Sequence, residues 1–131
     1  MVPGGDPLLG WIIHRLAATA VGTGAGATAT IAADPGLVIC CTGIQVSGDA
    51  AALVTIQSPS GTTLWRLRFP AAFTWSQTFP PGLICSNLSA ALLVNISAST
   101  ANCEANIQGV SVNLADLQTS DPTRLGRRIY G

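Results

Sequence analysis

The sequence predicts an all-β protein, one sandwich or barrel of seven to eight antiparallel strands. Three observations predict it. Short β-branched or alternating segments recur every 8–14 residues or so, separated by Gly, Pro, Asp and Ser turns. No segment carries a convincing helical period. Residues 16–113 contain only Asp34, Asp49, Arg66, Arg68 and Glu104 as charges, and their apolar side chains are spread over many short runs.

Residues 1–15 read as an N-terminal arm with an apolar cluster, Trp11-Ile12-Ile13. Leu8 to Ala18 is the one stretch that suits a short amphipathic helix, and Gly10 and the flanking prolines weigh against it. Gly22 to Ala27 reads as a flexible linker between arm and body. It lacks both the spacing of a dinucleotide-binding loop and the Lys of a P-loop. Ala27 to Ala33 is a strand ended by the turn Asp34-Pro35-Gly36. Leu37 to Ser47 is β-branched and apolar, with Gly43 suited to a bulge.

Ala51 to Ser58 and Thr62 to Phe69 form a hairpin around Ser58-Pro59-Ser60-Gly61. In its second strand Leu64, Arg66 and Arg68 share one face, and Trp65, Leu67 and Phe69 share the other. Pro70 ends it. Phe73 to Phe79 alternates, and Pro80-Pro81-Gly82 makes the clearest turn of the chain. Leu83 to Asn87 is expected as a short strand, followed by strands at Ala90 to Ser99 and Glu104 to Asn113. In the last strand Val110 and Val112 have the opposite parity to Ala105 and Ile107. A bulge at Gly109 would return them to the same face. Residues 114–131 are a C-terminal tail.

The chain has 131 residues, a formal net charge of 0 and 9% charged residues. Average domains carry about 25%. All six basic residues are Arg, too few for a nucleic-acid footprint. The mean hydropathy of +0.46 raises the question of a membrane, but a spanning helix needs about 20 apolar residues in a row. Leu8 to Val21 is shorter and is interrupted by His14 and Arg15. The first seven residues carry no base, unlike a signal peptide. The expectation is one domain in a soluble, non-secreted chain with a greasy surface that is hidden against copies of itself or a partner.

Catalytic chemistry is sparse. His14 is the only His, so any Ser-His-Asp or Cys-His arrangement would have to recruit it. The acids are scattered, and no group has metal-ligand spacing. The expectation is no enzyme and no cofactor. Cys40, Cys41, Cys85 and Cys103 contain no CxxC pair and read as small, half-buried apolar residues in a reducing compartment. A Cys85–Cys103 disulfide is the alternative left open. Asn87-Leu88-Ser89 and Asn95-Ile96-Ser97 are chance matches to the glycosylation pattern. Trp65, Trp75, Phe73 and Phe79 read as core rather than as a sugar platform.

The two ends carry the functional expectation. Extended, residues 1–15 reach roughly 50 Å. Each large apolar side chain buried on a partner gains about 1.5–3 kcal/mol before ordering costs. Trp11, Ile12 and Ile13 are the expected anchors of one arm. Arg124, Arg127, Arg128 and Tyr130 are those of the other, since Arg and Tyr recur as interface anchors. Seven of the twelve charges lie outside the body: Asp6, Arg15, Asp116, Asp121, Arg124, Arg127 and Arg128.

Residues 16–113 resemble the small β-sandwich proteins that decorate or cement the capsids of tailed bacteriophages. The resemblance is carried by the Ala/Thr/Gly/Val texture and by Thr62-Thr63-Leu64-Trp65-Arg66 after the Ser-Pro-Ser-Gly hairpin. The turn Phe79-Pro80-Pro81-Gly82-Leu83 and the closing strand Ala105 to Val112 add to it. It implies a jelly-roll-like β-sandwich with extended N- and C-terminal arms. It also implies a dimer or trimer bound to the major capsid protein at the virion surface, made in the host cytoplasm, with no nucleic-acid or membrane partner. Two other expectations stand beside it: a host-recognition or carbohydrate-binding module using Trp65 and Trp75, and another virion part such as a tail or neck protein.

Overall fold

A computed structural model describes residues 12–24, 26–80, 82–97 and 102–117. Eight strands fill it: β1 (His14–Gly22), β2 (Ala27–Ile31), β3 (Val38–Gly48), β4 (Ala52–Gln57), β5 (Thr63–Phe69), β6 (Phe73–Thr78), β7 (Leu92–Ile96) and β8 (Cys103–Val112). A single helical turn, α1 (Leu114–Leu117), follows. Among the described residues no helix is long and apolar enough to cross a membrane.

The strands form two four-stranded antiparallel sheets, ordered β1-β8-β3-β6 and β2-β7-β4-β5. The pairing is nested. β1 pairs with β8, β2 with β7, β3 with β6 and β4 with β5. The chain is thus one long antiparallel ribbon folded over two layers. The β3–β8 and β4–β7 ladders close each sheet.

Alternation decides the core. Ile44, Val46, Val54, Ile56, Leu92, Val94, Ile96, Ala105 and Ile107 all point between the sheets and are almost fully buried. On one flank β1 lies close to β2 because the facing residues are small: Ala18 and Ala20 against Ala27 and Ala29. On the other flank aromatic rings fill the gap between β5 and β6. Phe69 stacks on Phe73 with centroids 4.2 Å apart, and Trp65 meets Phe79 edge-on at 5.6 Å.

Four expectations are corrected here. The stretch Leu8 to Ala18 is not a helix where it is described, because β1 starts at His14 and pairs along its whole length with β8. Gly22 to Ala27 is no linker between arm and body; it crosses from one sheet to the other, with Gly24 and Gly26 at positive φ. Leu83 to Asn87 is no full strand: it makes one isolated bridge, Cys40 to Cys85.

The fourth correction concerns the expected bulges. The bulge expected at Gly43 is present in β3, where the register shifts between Cys41 and Gly43, but the one expected at Gly109 is not. β8 stays in register with β1 throughout, so Val110 and Val112 do face outward. They are nevertheless buried, in a second small cluster with Val38 and Cys40. The adjacent Cys40 and Cys41 accordingly serve opposite faces, Cys41 in the main core and Cys40 in the second cluster.

Candidate docking region at one end of the sandwich

The second cluster sits on the outer face of the β1-β8-β3-β6 sheet, at the end where β3 begins and β8 finishes. Val38, Cys40, Val110 and Val112 form its floor. Ile12, Cys85 and Leu114 pack over them, each partly buried. Ile12 precedes β1 and Leu114 follows β8, so the roots of both terminal segments lie on the same small apolar patch. The register explains why. His14 pairs with Ser111, and Ile13 N–H donates to Ser111 O at 2.8 Å. The chain therefore enters β1 beside the point where it leaves β8.

Of the expected anchors, Ile12 packs on this patch and Ile13 is 46% exposed beside it. Trp11, Arg124, Arg127, Arg128 and Tyr130 lie outside the described residues.

The segment after β6 supplies the patch's third cover. β6 pairs with β3 only from Gly43 to Gly48. Residues 84–86 take its place along the first half of β3. Cys41 N–H donates to Ile84 O and Ser86 N–H to Ile39 O, both at 2.8 Å. Ser86 Oγ accepts from Ile39 N–H at 2.9 Å. Ile84 and Ser86 point inward, and Cys85 points outward onto Cys40. Leu83 and Leu88, at the ends of this segment, are 64% and 50% exposed.

A polar group borders the patch. His14 Nδ1–H donates to Asp34 Oδ2 at 2.7 Å, and His14 N–H donates to Ser111 Oγ at 3.1 Å. The His14 contact, with a second hydrogen bond from Ser111, holds the Asp34 carboxyl below the usual carboxylate range. This is Ser, Asp and His in contact, but in the wrong order for nucleophilic catalysis. There the imidazole must touch the hydroxyl and take its proton. Here Asp34 stands between the two, and Ser111 is fully buried. The arrangement ties the start of β1 to the turn after β2.

Beyond the β3 bulge the outer face of the same sheet turns polar. Gln45, Ser76, Thr78, Asn106 and Gln108 line a shallow groove of about 440 Å³ with no charged group. The outer face of the other sheet carries the exposed Arg66 and Arg68, cross-strand from Thr55 and Leu53. Trp65 is held edge-on by Phe79 and packed against the core. Of the two Trp residues in a sugar-platform reading, only Trp75 is exposed, at 38%. Among the described residues no group of His, Cys, Asp and Glu could hold a metal ion.

Sequence reasoning missed the His14–Asp34–Ser111 contact and the Cys40–Cys85 pair, both joined across long chain separations. One signal was present. Val38-Ile39-Cys40-Cys41 is four apolar residues in a row, the mark of a strand covered on both faces. No protein-family model, no curated protein and no solved structure matches the chain.

Proposed function

We propose that this chain is a structural virion protein that cements neighbouring major capsid proteins on the outer surface of a phage head. The observation that carries this reading is the shared pole. The two ends of the described chain meet one apolar patch, with Ile12 and Leu114 both packed against the cluster of Val38, Cys40, Val110 and Val112. Residues 1–11 and 118–131 therefore both connect to the body there. The first holds Trp11, and the second holds Arg124, Arg127, Arg128 and Tyr130.

Two adhesive segments on one rigid pole suit a protein that bridges a joint between shell subunits. Each contact is modest, and many copies act together, so the effect on the shell is large. We read the nested eight-strand winding as a jelly roll, an architecture shared with viral capsid domains. The low charge suits close and lasting packing. Self-association as a dimer or trimer would place Arg66 and Arg68 of one copy against acids such as Asp49 of the next.

The test is binding to purified shells that lack this protein. The full chain is expected to saturate them at hundreds of copies per head. Removing residues 1–11, which spares β1 and Ile12, is expected to weaken binding about 100-fold, the equivalent of roughly 3 kcal/mol. Undiminished occupancy by the truncated chain overturns the arm reading. A handful of copies at one vertex favours the tail or neck instead.

A further inference from the structure

We propose that Cys40 and Cys85 are a redox site: they close to a reversible disulfide that clasps residues 82–89 onto β3 beside the roots of both terminal segments. The two sulfurs stand 2.7 Å apart, and both thiols are free. The backbone favours the bond. Cys41 N–H to Ile84 O and Ser86 N–H to Ile39 O flank the Cys40–Cys85 bridge on either side. That pattern makes Cys40 and Cys85 a non-hydrogen-bonded antiparallel pair, the kind in which Cα atoms approach to about 4.5 Å. Disulfides span about 4.4–6.8 Å between Cα atoms, so the bond closes without moving either strand.

The other cysteines are set apart from it. Cys41 points into the main core, where burial pushes its thiol up to about 11. Cys103 is buried, its sulfur 3.8 Å from Gly22 O. The Cys85–Cys103 pairing left open by the sequence therefore gives way to Cys40–Cys85. When Cys40 is ionised, Cys85 Sγ–H donates to it; this contact lowers the Cys40 thiol and raises that of Cys85, so the pair holds one proton more firmly than the other.

The oxidant is a low-molecular-weight disulfide such as oxidised glutathione. Cys85 is the more exposed of the two, and Cys40 is 1% exposed. Cys40 first gives its proton to solvent, and Cys85 then attacks one sulfur of the oxidant as its own proton passes to the Cys40 thiolate. A mixed disulfide forms, and one thiolate leaves and takes the proton from Cys40. The Cys40 thiolate then attacks Cys85 Sγ and displaces the second thiolate, which is protonated by solvent. Two protein thiols and one disulfide thus become one protein disulfide and two small thiols.

The experiment uses the full chain incubated with oxidised glutathione, then alkylated and analysed by intact mass and peptide mapping. Cys41→Ala is run in parallel, because Cys40 and Cys41 are adjacent and a map of the natural sequence does not separate them. The expected result is a fall from four alkylated thiols to two and a Cys40–Cys85 crosslink in Cys41→Ala. A rise in thermal midpoint of about 10 °C should accompany it, since the bond closes a long loop. Dithiothreitol is expected to reverse all three. Cys85→Ser, at a partly buried position, is expected to fold and to gain no internal disulfide. Four alkylated thiols after oxidation, or a crosslink that uses Cys103 or Cys41, overturns the proposal.

Discussion

Asp34 holds two partners from distant parts of the chain, the His14 imidazole and the Ser111 hydroxyl, and its carboxyl is depressed as a result. A carboxyl with a lowered folded-state pKa stabilises the fold above its unfolded value. That contribution is lost as pH falls through the folded value. Stability is therefore expected to decline as pH drops below about 4, the ordinary carboxylate range. Asp34→Asn should flatten that decline in acid-urea titrations, with the two proteins converging once Asp34 is protonated in the folded state. Gly109 makes a different demand. It faces inward opposite the β3 bulge, where a Cβ would lie 2.9 Å from Cys40 O and 3.2 Å from Ile39 Cγ2. The first neighbour is backbone and has no rotamer to escape into. Gly109→Ala is expected to cost about 1–3 kcal/mol in denaturant unfolding. The sequence marked Gly109 as special, but for a bulge that β8 does not carry.

At the scale of elements, β8 shows how far alternation can be trusted. From Cys103 to Gln108 buried and open positions alternate, and Gln108 is exposed. From Gly109 onward every residue is buried, because Ile12, Cys85 and Leu114 cover the outer face. Gln108 and Val110 thus point the same way into different surroundings. Val110→Ser is expected to destabilise by about 2–3 kcal/mol, losing a buried side chain and burying a hydroxyl. Gln108→Ser should stay within about 0.5 kcal/mol. Equal effects at both positions would mean that the cover over Val110 is absent in solution. The expected strands between 27 and 79 match β2 to β6 to within a few residues, since each carries its own alternation and turn. β1 was hidden because His14-Arg15-Leu16-Ala17-Ala18 alternates weakly and two of its three inward residues are Ala. It needs only Leu16, Ala18 and Ala20 to meet β2.

At the scale of the molecule, the nested ribbon brings its two ends together. β1 and β8 are the first and last strands, and they are neighbours in one sheet. That closure puts Ile12 and Leu114 at one pole, and the truncation of residues 1–11 leaves every strand in place. The same closure lays Ile12 and Leu114 over Cys40, so the redox clasp sits under the roots of both segments. Ile12 is thereby a root of the arm, packed on its own body. Ile13, half-exposed beside it, is the described apolar side chain of the arm that remains open to a partner.

The sequence alone determined the β character, the approximate strand boundaries in the middle of the chain and the split of Cys40 and Cys41 between opposite faces. Those follow from periodicity and turn chemistry, which are local. Only the tertiary structure decided that Cys85 meets Cys40, that β8 carries no bulge at Gly109 and that Val110 and Val112 are buried on the outer face. It also decided that both ends of the described chain share a pole. Each of these depends on which strand lies beside which, and strand order is set by packing over the whole chain.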